Sequence, residues 1–180
     1  MANKKDKEPY EIDIAETITT ITRLTFLFSP FSYDIRSVKS IEQYYYFSII
    51  TEILIHMRDL LFKLDALNNR IAFTNFVEPQ PDKEILDITD LVKYFRDAAC
   101  HNESKNRRNY KGYLFAGNVF ANYDFEGEIT LLMGDSKLYV KRHLVRLYQT
   151  VLQRFASYDE FQANADFRLA LGSARSQGEF

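Results

Sequence analysis

Between positions 50 and 64 the apolar residues Ile50, Ile53, Leu54, Met57, Leu60, Leu61 and Leu64 recur at steps of three and four. That period lines them along one side of an α-helix and leaves Glu52, Arg58, Asp59 and Lys63 elsewhere on its surface. A helix with such a side must bury it against other elements, so the chain is committed to a helix-on-helix core. The pattern predicts a helix from near Val38 to near Asn68. Ile85, Ile88, Val92, Phe95 and Ala99 repeat the same period, as do Leu144, Leu147, Tyr148, Val151 and Phe155. Ile14, Ile18, Ile21, Thr25 and Phe28 form a fainter stripe, because β-branched threonines weaken helix propensity.

The breaks between these segments are chemically explicit. Ser29-Pro30-Phe31-Ser32 interrupts the first helix, since proline lacks the amide hydrogen that continues the ladder. Glu78-Pro79-Gln80-Pro81-Asp82 stops any helix and offers Asp82 as an N-cap for the next. From Lys111 the texture shifts to β-branched and aromatic residues punctuated by glycines, and Met133-Gly134-Asp135-Ser136-Lys137 reads as a hairpin turn. The expected fold is mainly α: an up-and-down helical bundle with a small β-hairpin insertion before the last core helix. It forms a single domain over 1–180, with a core over about 10–157, a β insertion over 111–140 and a weakly ordered C-terminal tail over 158–180.

Bulk properties narrow the class of function. The 180 residues suffice for a single well-buried core, and 46% hydrophobic against 27% charged residues is an ordinary globular balance. With 25 acids against 23 bases, no global positive field draws the chain to nucleic acid, so RNA binding would need a local patch. Cys100 is the single cysteine, which excludes an internal disulfide and fits a cytoplasmic location. The charged start, Lys4 to Glu8, has no apolar run behind it, so no signal peptide is expected. The greasy stretch over 44–64 carries five ionisable residues and does not read as a membrane span.

The stretch Tyr94-Phe95-Arg96-Asp97-Ala98-Ala99-Cys100-His101-Asn102 closes the third periodic segment. It sets a permanent cation near a group that titrates around neutral pH, the two properties a phosphodiester-cleaving site needs. The segment resembles the Arg-x4-His motif of HEPN-domain ribonucleases, in which a polar residue, here Asp97, commonly follows the arginine. The resemblance is specific over about ten residues and architectural elsewhere, and the β insertion departs from it. It implies a four- or five-helix bundle and a symmetric homodimer whose motifs meet across the twofold axis, since an isologous contact joins the same patch of both chains. That also answers a geometric difficulty. Residues five apart on a helix differ by about 140° around its axis, so one copy of Arg96 and His101 makes a poor site unless the helix ends near Cys100.

RNA supplies its own nucleophile, the 2′-hydroxyl. Cleavage then requires a proton acceptor, charge stabilisation at phosphorus and a proton donor for the departing 5′-oxygen, with no obligatory metal or cofactor. His101 and Arg96 suit those roles. Asp97 either orients a catalytic side chain or is a solvated acid. Asn102 contacts phosphate or, more in keeping with its chemistry, caps the helix C-terminus. Lys105, Arg107, Arg108 and Lys111 hold the RNA backbone by charge or form a solvated loop. Tyr110, Tyr113 and Phe115 stack on bases or fill a strand's buried face, and the run over 44–47 reads as core or dimer interface before base stacking. Cys100 reads as a small packed residue, because it is adjacent to His101 in sequence and the two cannot meet as a nucleophile–base pair. His56, His101 and His143 show no ligand spacing for zinc.

Some HEPN toxins carry a modified tyrosine two residues after the histidine. Here that position is Glu103. The resemblance therefore implies a metal-independent endoribonuclease of toxin or antiviral-defence type that leaves a 2′,3′-cyclic phosphate. An antitoxin or regulatory protein is a further expected partner, and no membrane is. The alternative is a noncatalytic dimeric helical module that binds a protein partner or a nucleotide.

Overall fold

The structure, a computed structural model, describes residues 12–32, 40–72, 85–100, 121–123, 129–133 and 136–177. Over these residues the chain is mainly helical. Helix α1 spans Ile14–Phe28, α2 Ser40–Ala66 and α3 Ile88–Cys100. Strands β1 (Ala121–Tyr123), β2 (Ile129–Met133) and β3 (Ser136–Tyr139) follow, and then α4 (Arg146–Phe155), α5 (Asp159–Ala163) and α6 (Ala165–Gln177).

Helix α1 forms despite its five threonines because their hydroxyls find partners inside the helix. Thr17, Thr19, Thr20, Thr22 and Thr25 each donate to the carbonyl four residues earlier, at 2.6–3.1 Å. Asp13 caps the start, its carboxylate accepting from the Glu16 amide at 2.9 Å. At the far end Ser29–Ser32 tightens into a single 3₁₀ turn, so the proline changes the winding at Phe28 before the chain leaves the helix.

Helix α2 is the spine, packed against α1, α3 and α4. Its buried residues include Ile50, Ile53, Leu54, Met57, Leu60, Leu61, Lys63 and Leu64. That arc is wider than a single side, as contact with three helices requires. Lys63 was expected off the core face, yet its side chain is only 1% exposed. The reason lies in α1, whose Glu16 accepts from Lys63 Nζ at 3.0 Å while Asp59, one turn back, pairs with it at 3.0 Å. The stem and the ammonium are both covered, and the charge is met by two acids that themselves reach solvent. Arg23 pairs with Glu52 farther along, so α1 and α2 run antiparallel.

The end of α2 is a Schellman turn. Asn69 N–H donates to Leu64 O at 2.8 Å and Asn68 N–H to Asp65 O at 2.9 Å, with Asn68 in the left-handed region at φ 55°. Arg70 then ties this end to the start of α3, donating to Asp65 (3.0 Å), Asp87 (2.6 and 2.9 Å) and Asp90 (3.0 Å). The hydrogen bonds that Arg70 donates to Asp87 raise the arginine's pKa above the ordinary value, burial opposes this, and those to Asp90 add to the rise. Asp87 is also the N-cap of α3, accepting from the Asp90 amide at 3.0 Å. The cap expected at Asp82 lies outside the described residues, and the cap observed is Asp87, because the helix starts at Ile88.

The three strands form an antiparallel sheet in the order β1-β2-β3, with Leu131 opposite Leu138. Both leucines are fully buried, and they carry the sheet onto the helical core. A π-helical stretch, Val140–Val145, leads from β3 into α4. Residues 111–120 and 124–128 of the expected β insertion and the turn residues Gly134 and Asp135 lie outside the described residues.

The expectation of a weakly ordered tail over 158–180 needs correction, because this region contributes α5 and α6. Phe161 and Phe167 are buried and continue an aromatic stack from Phe155, with ring centroids 5.0 and 5.3 Å apart. Ala170 and Ala174 are also buried, and α6 packs on α1. The periodic signal is weak because two of the four contacts are alanines, which let the backbones approach without announcing an apolar face. Residues 178–180 lie outside the described residues.

Candidate functional site

Helix α3 turns Ile88, Leu91, Val92, Tyr94, Phe95 and Ala98 into the core. Lys93, Asp97 and Cys100 lie away from that core-facing arc and Arg96 lies at its edge, so the third helix's periodicity itself leaves Arg96 partly exposed. Arg96 and Asp97 are 26% and 23% exposed, accessible yet anchored. Arg96 Nη1 donates to Asp97 Oδ1 at 2.6 Å, a short charge-assisted bond. The carboxylate engages one nitrogen of the fork and is itself only partly exposed. At this exposure such a pair contributes about 1 kcal/mol or less to stability. Its effect is therefore on the position of the guanidinium more than on the fold.

The remaining residues expected at this site, His101, Asn102, Lys105, Arg107, Arg108 and Lys111, lie outside the described residues, as do Tyr110, Tyr113 and Phe115. The structure thus brings together Arg96 and Asp97 alone from that set. Cys100, expected to be packed, is exposed. Partial burial of its thiol nevertheless pushes its pKa up; the Arg96 charge opposes this and Asp97 adds to it. The thiol is protonated near neutral pH, which disfavours a nucleophilic role.

Tyr45 is exposed, while Tyr46 is half-buried against the core, the two rings meeting edge-on at 5.8 Å. The run over 44–47 therefore divides between solvent and core at these two positions.

Two further histidines sit in defined surroundings. Burial pushes the His56 pKa down, the Arg23 charge adds to that, and Glu52 and Asp59 oppose it. His56 Nε2 is 3.8 Å from Glu52 Oε1. His143 Nδ1 accepts from the Tyr139 amide at 3.1 Å, at the start of the π-helical stretch, which leaves its proton on Nε2 in the neutral ring. Among the described residues no three or more His, Cys, Asp or Glu side chains converge as a metal site. No helix among them is long and apolar enough to cross a membrane.

A pocket of about 230 Å³ opens between α1, α4 and α6. Beneath it Tyr148 OH donates to Ile21 O at 2.6 Å and lies 2.8 Å from Thr25 Oγ1. Burial pushes the tyrosine pKa well above its ordinary value, with the Thr25 hydrogen bond opposing, so the phenol stays neutral. Sequence reasoning placed Thr25 and Tyr148 on apolar stripes and missed the pocket. Seven of its ten lining residues come from α4 and α6 together, and the latter had not been expected to form. Comparison with known proteins finds no matching family model, no matching curated protein and no matching solved structure.

Proposed function

We propose that this chain is a HEPN-like, metal-independent endoribonuclease. The observation that carries the reading is the Arg96 guanidinium, partly exposed at the edge of the core-facing arc of α3 and engaged at 2.6 Å by Asp97. A guanidinium is the side chain best matched to a phosphate, whose oxygens accept from its planar set of donors. His101, the next residue in sequence after Cys100, supplies an imidazole for proton transfer. In this proposal the helices form an up-and-down bundle, the strands are a hairpin insertion, and two chains pair so that both motifs surround one phosphate. One imidazole takes the 2′-hydroxyl proton and the other protonates the 5′-oxygen, while the arginines stabilise charge on phosphorus. Asn102, Lys105, Arg107, Arg108 and Lys111 hold the flanking backbone. The biological setting is that of a toxin or antiviral effector acting in the cytoplasm and restrained by an antitoxin or regulatory protein.

The test is RNA cleavage in excess EDTA by wild type, Arg96→Ala and His101→Ala, with helicity and thermal unfolding compared for all three. The expected result is cleavage by wild type and a loss of about 100-fold or more in each variant at unchanged fold. Absence of cleavage by wild type, or equal cleavage by both variants, overturns the proposal and leaves the noncatalytic dimeric module in its place.

A further inference from the structure

The pocket between α1, α4 and α6 differs chemically from the Arg96 site and does not depend on it. Phe28, Val145, Leu152 and Leu171 supply an apolar wall. The two hydroxyls at its base, Thr25 Oγ1 and Tyr148 OH, both donate to Ile21 O and lie 2.8 Å apart, so their protons are committed and they present no donor to a guest. The polar groups left over are at the rim: the amides of Gln149 and Gln153 and the guanidinium of Arg175. Arg175 is exposed in the last turn of α6, and among the described residues that line the pocket none is acidic. A cation beside an apolar cleft without a neutralising carboxylate complements a guest that is apolar along its length and anionic at one end.

We propose that this pocket binds a medium-chain fatty acid, its hydrocarbon chain along Phe28, Leu152 and Leu171 and its carboxylate on Arg175. A volume of about 230 Å³ lies below the ~300 Å³ at which drug-sized sites begin. It suits a single short chain rather than a phospholipid or a peptide. The carboxylate accepts from the Arg175 fork, and Gln153 stands at the same rim as a further donor. Because the base offers no spare donor, the acceptor edges of a sugar or a nucleobase would go unpaired there.

Titration calorimetry with octanoate and with octanol on the full chain tests this. The wild type is expected to bind octanoate saturably with one site per chain, and octanol about tenfold more weakly, the charge-assisted bond being lost. Arg175→Gln, an exposed change that leaves the packing of α6 intact, should reduce octanoate affinity by about tenfold and leave octanol affinity unchanged. Leu171→Trp, which fills the cleft from its rim, should weaken both ligands. No saturable octanoate binding overturns the proposal. So does octanoate affinity equal to that of octanol, or octanoate affinity indifferent to both substitutions. None of these outcomes bears on RNA cleavage, so this proposal and the ribonuclease proposal fail separately.

Discussion

Lys63 shows how a cation can be wholly buried when the acids paired with it reach solvent. Burial alone would lower its pKa, but the hydrogen bonds to Glu16 and Asp59 outweigh it and raise it. Both acids retain access to water, so removing the ammonium does not strand a buried charge. Lys63→Met is accordingly expected to change unfolding free energy by less than about 1 kcal/mol, whereas Lys63→Glu, which sets a third acid between two others, should cost about 3 kcal/mol or more. Urea unfolding of both variants checks this. His56 carries the opposite sign. Its folded pKa is held below the ordinary 6.5, by burial first and by Arg23 second, so its contribution is fully present above 6.5. As pH falls from there toward the lowered value, the unfolded state binds the proton more readily and stability is lost. His56→Gln should flatten that part of the stability–pH curve, and an unchanged slope would show that another group sets it.

Among the elements, α5 and α6 decide whether the C-terminal region is structural. Phe161 and Phe167 sit in one stack with Phe155, so Phe167→Ala should cost about 3–5 kcal/mol by the lost burial and the cavity left behind. A cost below about 1 kcal/mol in urea would mean that α6 does not pack on the core. These elements also mark what was legible beforehand. Helices α2, α3 and α4 could be read because large aliphatic residues recur at helical spacing on each of them. The C-terminal helices could not, because Ala170 and Ala174 make contact through smallness, a property that composition does not distinguish from exposure. Lys63 was misplaced for a related reason: the acid that covers it comes from α1, 47 residues away in sequence. At the candidate site, periodicity alone put Arg96 at the edge of the core-facing arc, where it is found. Its partner, Asp97, was left between two readings because adjacent residues on a helix point in directions 100° apart and their pairing depends on rotamers.

For the molecule as a whole, α2 joins the two regions to which function is assigned. It packs directly on α3, which bears Arg96, and on α1 and α4, which contribute to the pocket. The central claim is that Arg96 supports cleavage by the RNA's own 2′-hydroxyl, without a metal. The most direct measurement compares an RNA oligonucleotide with its fully 2′-O-methylated counterpart in excess EDTA, using wild type and Arg96→Ala and identifying the 3′ ends by mass spectrometry. The expected result is a 2′,3′-cyclic phosphate from RNA, an intact methylated strand, and a rate about 100-fold lower for Arg96→Ala. Cleavage of the methylated strand, or equal rates for the two proteins, would contradict it.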